Sequence, residues 1–303
     1  MSAPARPSGA GRQRLTWNLL GRDRAEIEIG TDWPGPAGAD WAWGGSTGRG
    51  VRVCVLDSGV EPDHPSVGPV AASYEVRARA ADGASGASGA ADAGGADGCA
   101  VVEVPGGDEC GHGTACASII RRMAPDCAVE SVQVLRAGVP GTGDVLIEGI
   151  RWAVAEGYDV INLSLSTTRR QFAHTLHEIA DHAYFGRSLL VASAHNMPVE
   201  SYPWRFSSVI SVGSHEEADS ELLLYNPHPP VEFFARGVRV PSAWPGGGTR
   251  RCTGNSFATP HVAGLCARIL AKHPSMTPFQ VKQALFLASA NVSAAPATPG
   301  GPA

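Results

Sequence analysis

VRVCVLDSG, residues Val51 to Gly59, decides the architecture of this chain. Its valines and Leu56 make a short run rich in β-branched residues that stops at Asp57-Ser58-Gly59, which reads as a buried strand followed by a turn. Downstream the pattern alternates. A helix is expected after His112-Gly113, through Ala115 to Arg122, followed by the strand VESVQVL. Asp144 is placed to cap a helix that runs through Ile147, Ile150 and Trp152 to Glu156. DVINLSLS (159–166) reads as a strand, Phe172 to Tyr184 as a helix, and SLLVASAHN (188–196) and SSVISVG (207–213) as further strands. Strands separated by helices make βαβ units. The expected fold is therefore α/β: a doubly wound, mostly parallel central sheet with helices on both faces.

Two more helices close the pattern. GNSFATPHVAG (254–264) opens one with helical apolar spacing to about Lys272, and Pro260 is expected in its first turn, where a missing N–H costs no bond. Thr277-Pro278-Phe279-Gln280 combines a capping box with proline at the first helical position, leading through Val281 and Leu285. Around this core, residues 1–45 read as an N-terminal arm, 46–291 as one domain, 77–98 as a flexible Ala/Gly/Ser/Asp insert, and 292–303 as a disordered tail.

Bulk properties exclude several functions. The 303 residues are 43% hydrophobic, enough for a large core, and the formal net charge of −5 offers no positive field for nucleic acid. No apolar run approaches the roughly 18 residues that cross a bilayer. The first residues lack the hydrophobic segment of a secretory signal, so a cytoplasmic location is expected. Seven cysteines cannot all pair within one chain. Cys54, Cys116 and Cys266 read as core residues, and Cys99, Cys110, Cys127 and Cys252 as loop or loop-flanking residues. A Cys99–Cys110 bridge is open but disfavoured in a reducing compartment. Cys110-Gly-His112 followed by Cys116 lacks a second cluster to complete a familiar metal site.

In doubly wound sheets, ligands gather at the carboxyl ends of strands and the helix starts beyond them. Asp57, His112 and Ser256 all fall there. Each has a plainer job open to it: Asp57 as an Asx-turn residue, His112 as a solvated turn residue between two glycines, Ser256 as a helix cap. Together they supply a hydroxyl, an imidazole to take its proton, and a carboxylate to orient the imidazole.

VCVLDSGVEPDHP, GHGTACASII and GNSFATPHVAG resemble, in that order, the Asp, His and Ser segments of the subtilases, the subtilisin-like serine proteases. The intervening blocks MAPDCAVESVQVL, GIRWAVAEGYDVINLSLS, YPWRFSSVISVGS and FFARGVRVPS match as well, so the resemblance covers roughly residues 40–290. It implies that Asp57 orients, His112 acts as general base and then acid, Ser256 attacks a peptide carbonyl, and Asn196 donates to the oxyanion. It also implies that Ser164, Leu165, Ser166 and His195 line the substrate cleft, with Met197 bordering the pocket for the residue before the cleaved bond.

Four positions depart from the family. His195 stands where glycine usually precedes the oxyanion Asn, Ser166-Thr167 replace a Gly-Gly pair, and Asn255 replaces the usual Thr before the nucleophile. Side chains in place of bare glycine narrow the cleft, which implies a dedicated processing protease with restricted specificity. A catalytically weak peptide-binding module and an acyl-transfer enzyme are the alternatives. The short segment from His112 to Pro125 lacks the carboxylates of the family's calcium loop, so no metal and no cofactor is expected. The 56 residues ahead of Asp57 leave no room for both a signal and a folding pro-segment, which again suggests an intracellular enzyme. The expected partner is a peptide or protein substrate, with no nucleic acid and no membrane; oligomeric state is unknown from sequence.

Overall fold

The computed structural model describes residues 38–78, 98–138 and 141–292. The arm up to residue 37, the body of the insert and the tail from 293 lie outside the described residues. In chain order the elements are α1 (Ala39–Trp43), β1 (Arg52–Asp57), β2 (Ser73–Ala78), β3 (Cys99–Glu103), α2 (His112–Met123), β4 (Ala128–Gln133), α3 (Gly143–Ala155) and β5 (Val160–Leu163). They continue with α4 (Ala173–Phe185), β6 (Leu189–Ser193), β7 (Ile210–His215), β8 (Leu224–Tyr225), β9 (Phe233–Arg236), β10 (Val240–Trp244), β11 (Gly248–Cys252), α5 (Asn255–Lys272) and α6 (Pro278–Ala288).

Among the described residues, nine strands form one sheet in the order β3-β2-β4-β1-β5-β6-β7-β9-β8. From β2 to β9 every neighbouring pair is parallel; only the edge pairs β2–β3 and β8–β9 are antiparallel. The alternation within β1 explains why it sits at the centre. Val53 and Val55 enter one core with Ile120 of α2, Leu265 and Ile269 of α5 and Leu285 of α6. Cys54 and Leu56 enter the other with Ile150 of α3 and Leu176 of α4. A strand buried on both faces needs helices on both, and the chain supplies them.

β1 pairs with β4 on one side and β5 on the other, so the chain changes direction across the sheet at the end of β1. Asp57 closes that strand, and the crevice beyond such a switch point is where a ligand can enter.

Several local expectations need correction. Thr142, not Asp144, caps α3: its hydroxyl accepts from the Val145 N–H at 3.4 Å, one residue before the helix begins. Arg77 and Ala78, expected in the flexible insert, belong to β2 and pair with Ala100 and Cys99. Residues 39–43, expected in the arm, form helix α1, whose Trp43 is fully buried. Cys99, Cys127 and Cys252 are buried, and no disulfide joins Cys99 to Cys110. The antiparallel hairpin β10–β11 was hidden by Pro241 and by the Pro245-Gly246-Gly247 turn between its strands. The capping box at Thr277–Gln280 forms as expected.

Buried His261 on α5 adds a pH-dependent strain to this fold. Its Nδ1–H donates to the Phe257 carbonyl at 2.9 Å, and Nε2 is buried without a partner. Burial holds the imidazole down at about 3, against an ordinary value of 6.5. Between these values the unfolded chain binds a proton that the native state refuses, so stability falls as pH drops below 6.5. The loss reaches about 2 kcal/mol at pH 5, at about 1.4 kcal/mol per pH unit. Thermal unfolding of His261→Gln should therefore show a shallower decline from pH 7 to pH 5 than the parent; identical slopes would remove His261 from the account.

Candidate active site

Asp57 ends β1 with no exposed surface, and its carboxylate meets the imidazole of His112, the first residue of α2. Nδ1 lies 2.8 Å from Oδ1 and 3.0 Å from Oδ2. A carboxylate can only accept, so the proton sits on Nδ1 and Nε2 keeps its lone pair. Burial pulls the imidazole toward neutrality, but the charge and hydrogen bond of Asp57, helped by Asp108, outweigh it and raise His112 above 6.5.

Asp108 is the residue that sequence reasoning missed. Its Oδ1 accepts from Ser58 Oγ (2.9 Å), Cys110 N (3.0 Å) and Gly111 N (2.8 Å); its Oδ2 accepts from Thr114 N (2.9 Å) and Thr114 Oγ1 (2.7 Å). It thereby satisfies orphan N–H groups at the start of α2 and places a negative charge at the helix's positive end. Ser58 also accepts from Gly113 N at 3.0 Å, so the residue after Asp57 is fastened to the residue after His112. The signal was present in sequence: an Asp followed by Gly111 and Thr114 ahead of an apolar helix. Gly113 must be bare, because a Cβ there would stand 2.0 Å from the Gly59 carbonyl.

Ser256 is the second residue of α5, so its N–H belongs to the first turn, which has no intrahelical acceptor. Pro260 lies in the second turn, not the first, and its missing N–H would have bonded the Ser256 carbonyl. That oxygen is taken instead by Ser164 Oγ–H at 2.8 Å and approached by the Cys116 thiol at 3.6 Å. Thus the end of β5, the first turns of α2 and the start of α5 converge on one atom. The Phe257 ring packs 5.1 Å from the His112 ring, centroid to centroid. No hydrogen bond joins Ser256 Oγ to His112 in this structure.

Asn196, on the loop after β6, is exposed, and its Oδ1 accepts from Asn255 N at 2.9 Å. Gly254 has φ +152°; a Cβ on it would lie 3.5 Å from both amide atoms of Asn196 and 3.5 Å from Ser256 Oγ. The bare glycine keeps the space between hydroxyl and amide open.

Of the expected cleft residues, Ser164 is buried, with its hydroxyl committed to Ser256 and accepting from Asn162 Nδ2 at 3.0 Å. It supports the Ser256 backbone and presents no side chain to a cleft. Leu165, Ser166 and His195 are half-buried. His195 Nδ1 accepts from Met197 N at 3.0 Å, which fixes the ring on the loop. That loop borders a concavity of about 420 Å³ lined by His195, Met197, Val199, Trp204, Phe234 and Asn255, among others.

Among the described residues, Asp57, His112 and Cys116 are the one trio able to share a metal, their ligand atoms lying within 4.8 Å of one another. Asp57 is committed to His112, and burial pushes the Cys116 thiol well above its ordinary range, leaving a neutral, weak ligand. Burial and the neighbouring Asp108, Asp57 and Glu109 likewise push the Cys110 thiol up. Both thiols therefore stay protonated at neutral pH.

Ser164→Ala should leave the Ser256 carbonyl with only the thiol as donor. The expected cost is about 1–3 kcal/mol of stability, the usual price of an unsatisfied buried group. Thermal unfolding beside the parent reads it, and an unchanged midpoint would show that the carbonyl does not need this donor.

Comparison with known proteins places the geometry in context. The model of the subtilase family matches residues 48–300. The subtilisin of Bacillus pumilus is 32% identical over 256 residues, covering 80% of this chain and 84% of the relative. Subtilisin E of Bacillus subtilis is 31% identical, with the alignment covering 80% of this chain but 61% of the relative's length. Among solved structures, a cold adapted subtilisin-like serine proteinase superposes with a TM-score of 0.59 at 25% identity, covering 79% of this chain and 82% of its own. A lanthipeptide protease shares the fold with a TM-score of 0.58 at 23% identity, covering 77% and 78%. The chain belongs to the subtilase family and is a serine-type endopeptidase.

Proposed function

We propose that this endopeptidase cleaves its substrate through Asp57, His112 and Ser256, with Asn196 in the oxyanion hole, and that it acts as a processing protease on few substrates. The observation that carries the catalytic assignment is the 2.8 Å contact between Asp57 and His112 Nδ1, in a site that also holds Ser256 and Asn196 around Gly254.

The chemistry follows from the tautomer. With Nδ1–H committed to Asp57, His112 Nε2 takes the proton of Ser256 Oγ as that oxygen attacks the peptide carbonyl. The carbonyl oxygen becomes an oxyanion in the space above Gly254, within reach of the Asn196 amide and the first-turn N–H of Ser256. The imidazolium, stabilised by Asp57 and Asp108, then gives its proton to the departing amine. The acyl-enzyme remains on Ser256, and water activated by the same Nε2 releases it.

Restricted specificity is supported by the cleft. His195 occupies the usual glycine position with its ring held by Met197 N. Thr167, at the second position of the usual glycine pair, exchanges two 2.9 Å backbone hydrogen bonds with Tyr202. Backbone spent in this way cannot pair with a substrate strand.

A fluorophosphonate probe should label the parent and not Ser256→Ala. Asp57→Asn should lower kcat by about 10⁴ while leaving the fold intact. In the parent, the acidic limb of kcat/KM should have its midpoint above 6.5, because activity needs neutral His112 and Asp57 favours the charged form. In Asp57→Asn that midpoint should move down, since burial then acts with less opposition. Broad, fast digestion of unfolded casein would contradict the processing role, and labelling of Ser256→Ala would contradict the nucleophile.

A further inference from the structure

Asn255, which replaces the family's usual threonine, reaches across to the loop that carries Asn196. Its Nδ2 lies 3.1 Å from the Ala194 carbonyl and 3.4 Å from the His195 carbonyl, donating to both. Its backbone N–H donates to Asn196 Oδ1 at 2.9 Å. One residue at the start of α5 thus grips three consecutive residues, Ala194, His195 and Asn196, which follow β6.

The grip has a directional consequence. Asn196 is exposed on a loop whose next residues, Met197 to Val199, are exposed too, so packing does little to fix its rotamer. With Oδ1 held by Asn255 N–H, the donor end of the amide is the end left for a ligand. With Ala194 and His195 held by Asn255 Nδ2, the loop cannot drift away from Ser256. A threonine offers a single O–H on a shorter stem and cannot span two carbonyls.

We propose that Asn255 is a positioning residue that sets the Asn196 amide against Ser256 by holding the Ala194 and His195 carbonyls. This rests on the protease reading above and acts through Asn196; Asn255 itself does not touch the reacting atoms.

The test is a double-mutant cycle on full-length protein, with kcat and KM measured on one peptide substrate. Asn255→Ala and Asn255→Thr should each lower kcat about tenfold with KM within about twofold, a fraction of the about 10²–10³ lost with an oxyanion donor. In an Asn196→Ala background the same changes should alter kcat by less than about twofold, because the group being positioned is gone. Asn255→Asp, equal in size but without the N–H donors, should behave like Asn255→Ala and covers the case in which truncation unfolds the chain. An unchanged kcat in the single variants, or an equal loss in both backgrounds, overturns the proposal. Fluorophosphonate labelling separates the two failures. A parent that labels while the cycle comes out additive refutes the positioning role alone, whereas a parent that never labels refutes the protease reading beneath it.

Discussion

One oxygen atom organises the site. Pro260 has no N–H to give the Ser256 carbonyl, and the vacancy is filled from outside the helix by Ser164, with Cys116 close by. A proline in a helix usually costs about 3 kcal/mol through its lost bond and its ring. Here the lost bond becomes a tertiary anchor, because the orphaned acceptor reaches the end of β5 and the first turns of α2. The backbone of Ser256 is therefore fixed by the strand and helix that also border the imidazole, and no longer by its own helix alone.

The second organising feature is electrostatic. Asp57 is buried and Asp108 is half-buried, and each carboxylate is surrounded by donors: Ser58 N–H and the imidazole on one, five donor contacts on the other. Buried charge is tolerable only when it is so satisfied. The two carboxylates also stabilise positive charge on His112. Ser58 joins the two arrangements, so their spacing is set by the covalent neighbours of Asp57 and His112.

The fold was legible where it depends on period and punctuation. β1, β4 to β7, α2 and α6 follow from apolar runs and a capping box, which are local signals. Asp57, His112 and Ser256 were legible as residues of the right types at strand ends and helix starts, and Asn196 only through the family resemblance. What stayed hidden depends on partners distant in sequence. The edge hairpin of β2 and β3 straddles a low-complexity segment, and β10–β11 reads as loop because of its prolines and glycines. Ser164 was expected at the cleft surface, and nothing local reveals that a carbonyl ninety-two residues away would claim its hydroxyl. Pro260 was expected in a first turn, since only the tertiary fold supplies a substitute for its missing bond. Asp108 is the exception: four of its five contacts are to residues at most six positions away, and only the one from Ser58 depends on the distant fold.

Strand β1 lies in the middle of the sheet, paired with β4 and β5, while the serine helix packs across the core from residues far later in the chain. Asp57 and His112 therefore leave the site of synthesis well before Ser256, which follows only when most of the domain has been made. The surface shared by Asp57, His112 and Ser256 is therefore complete only once a late-made helix has packed against a sheet whose central strand was made first.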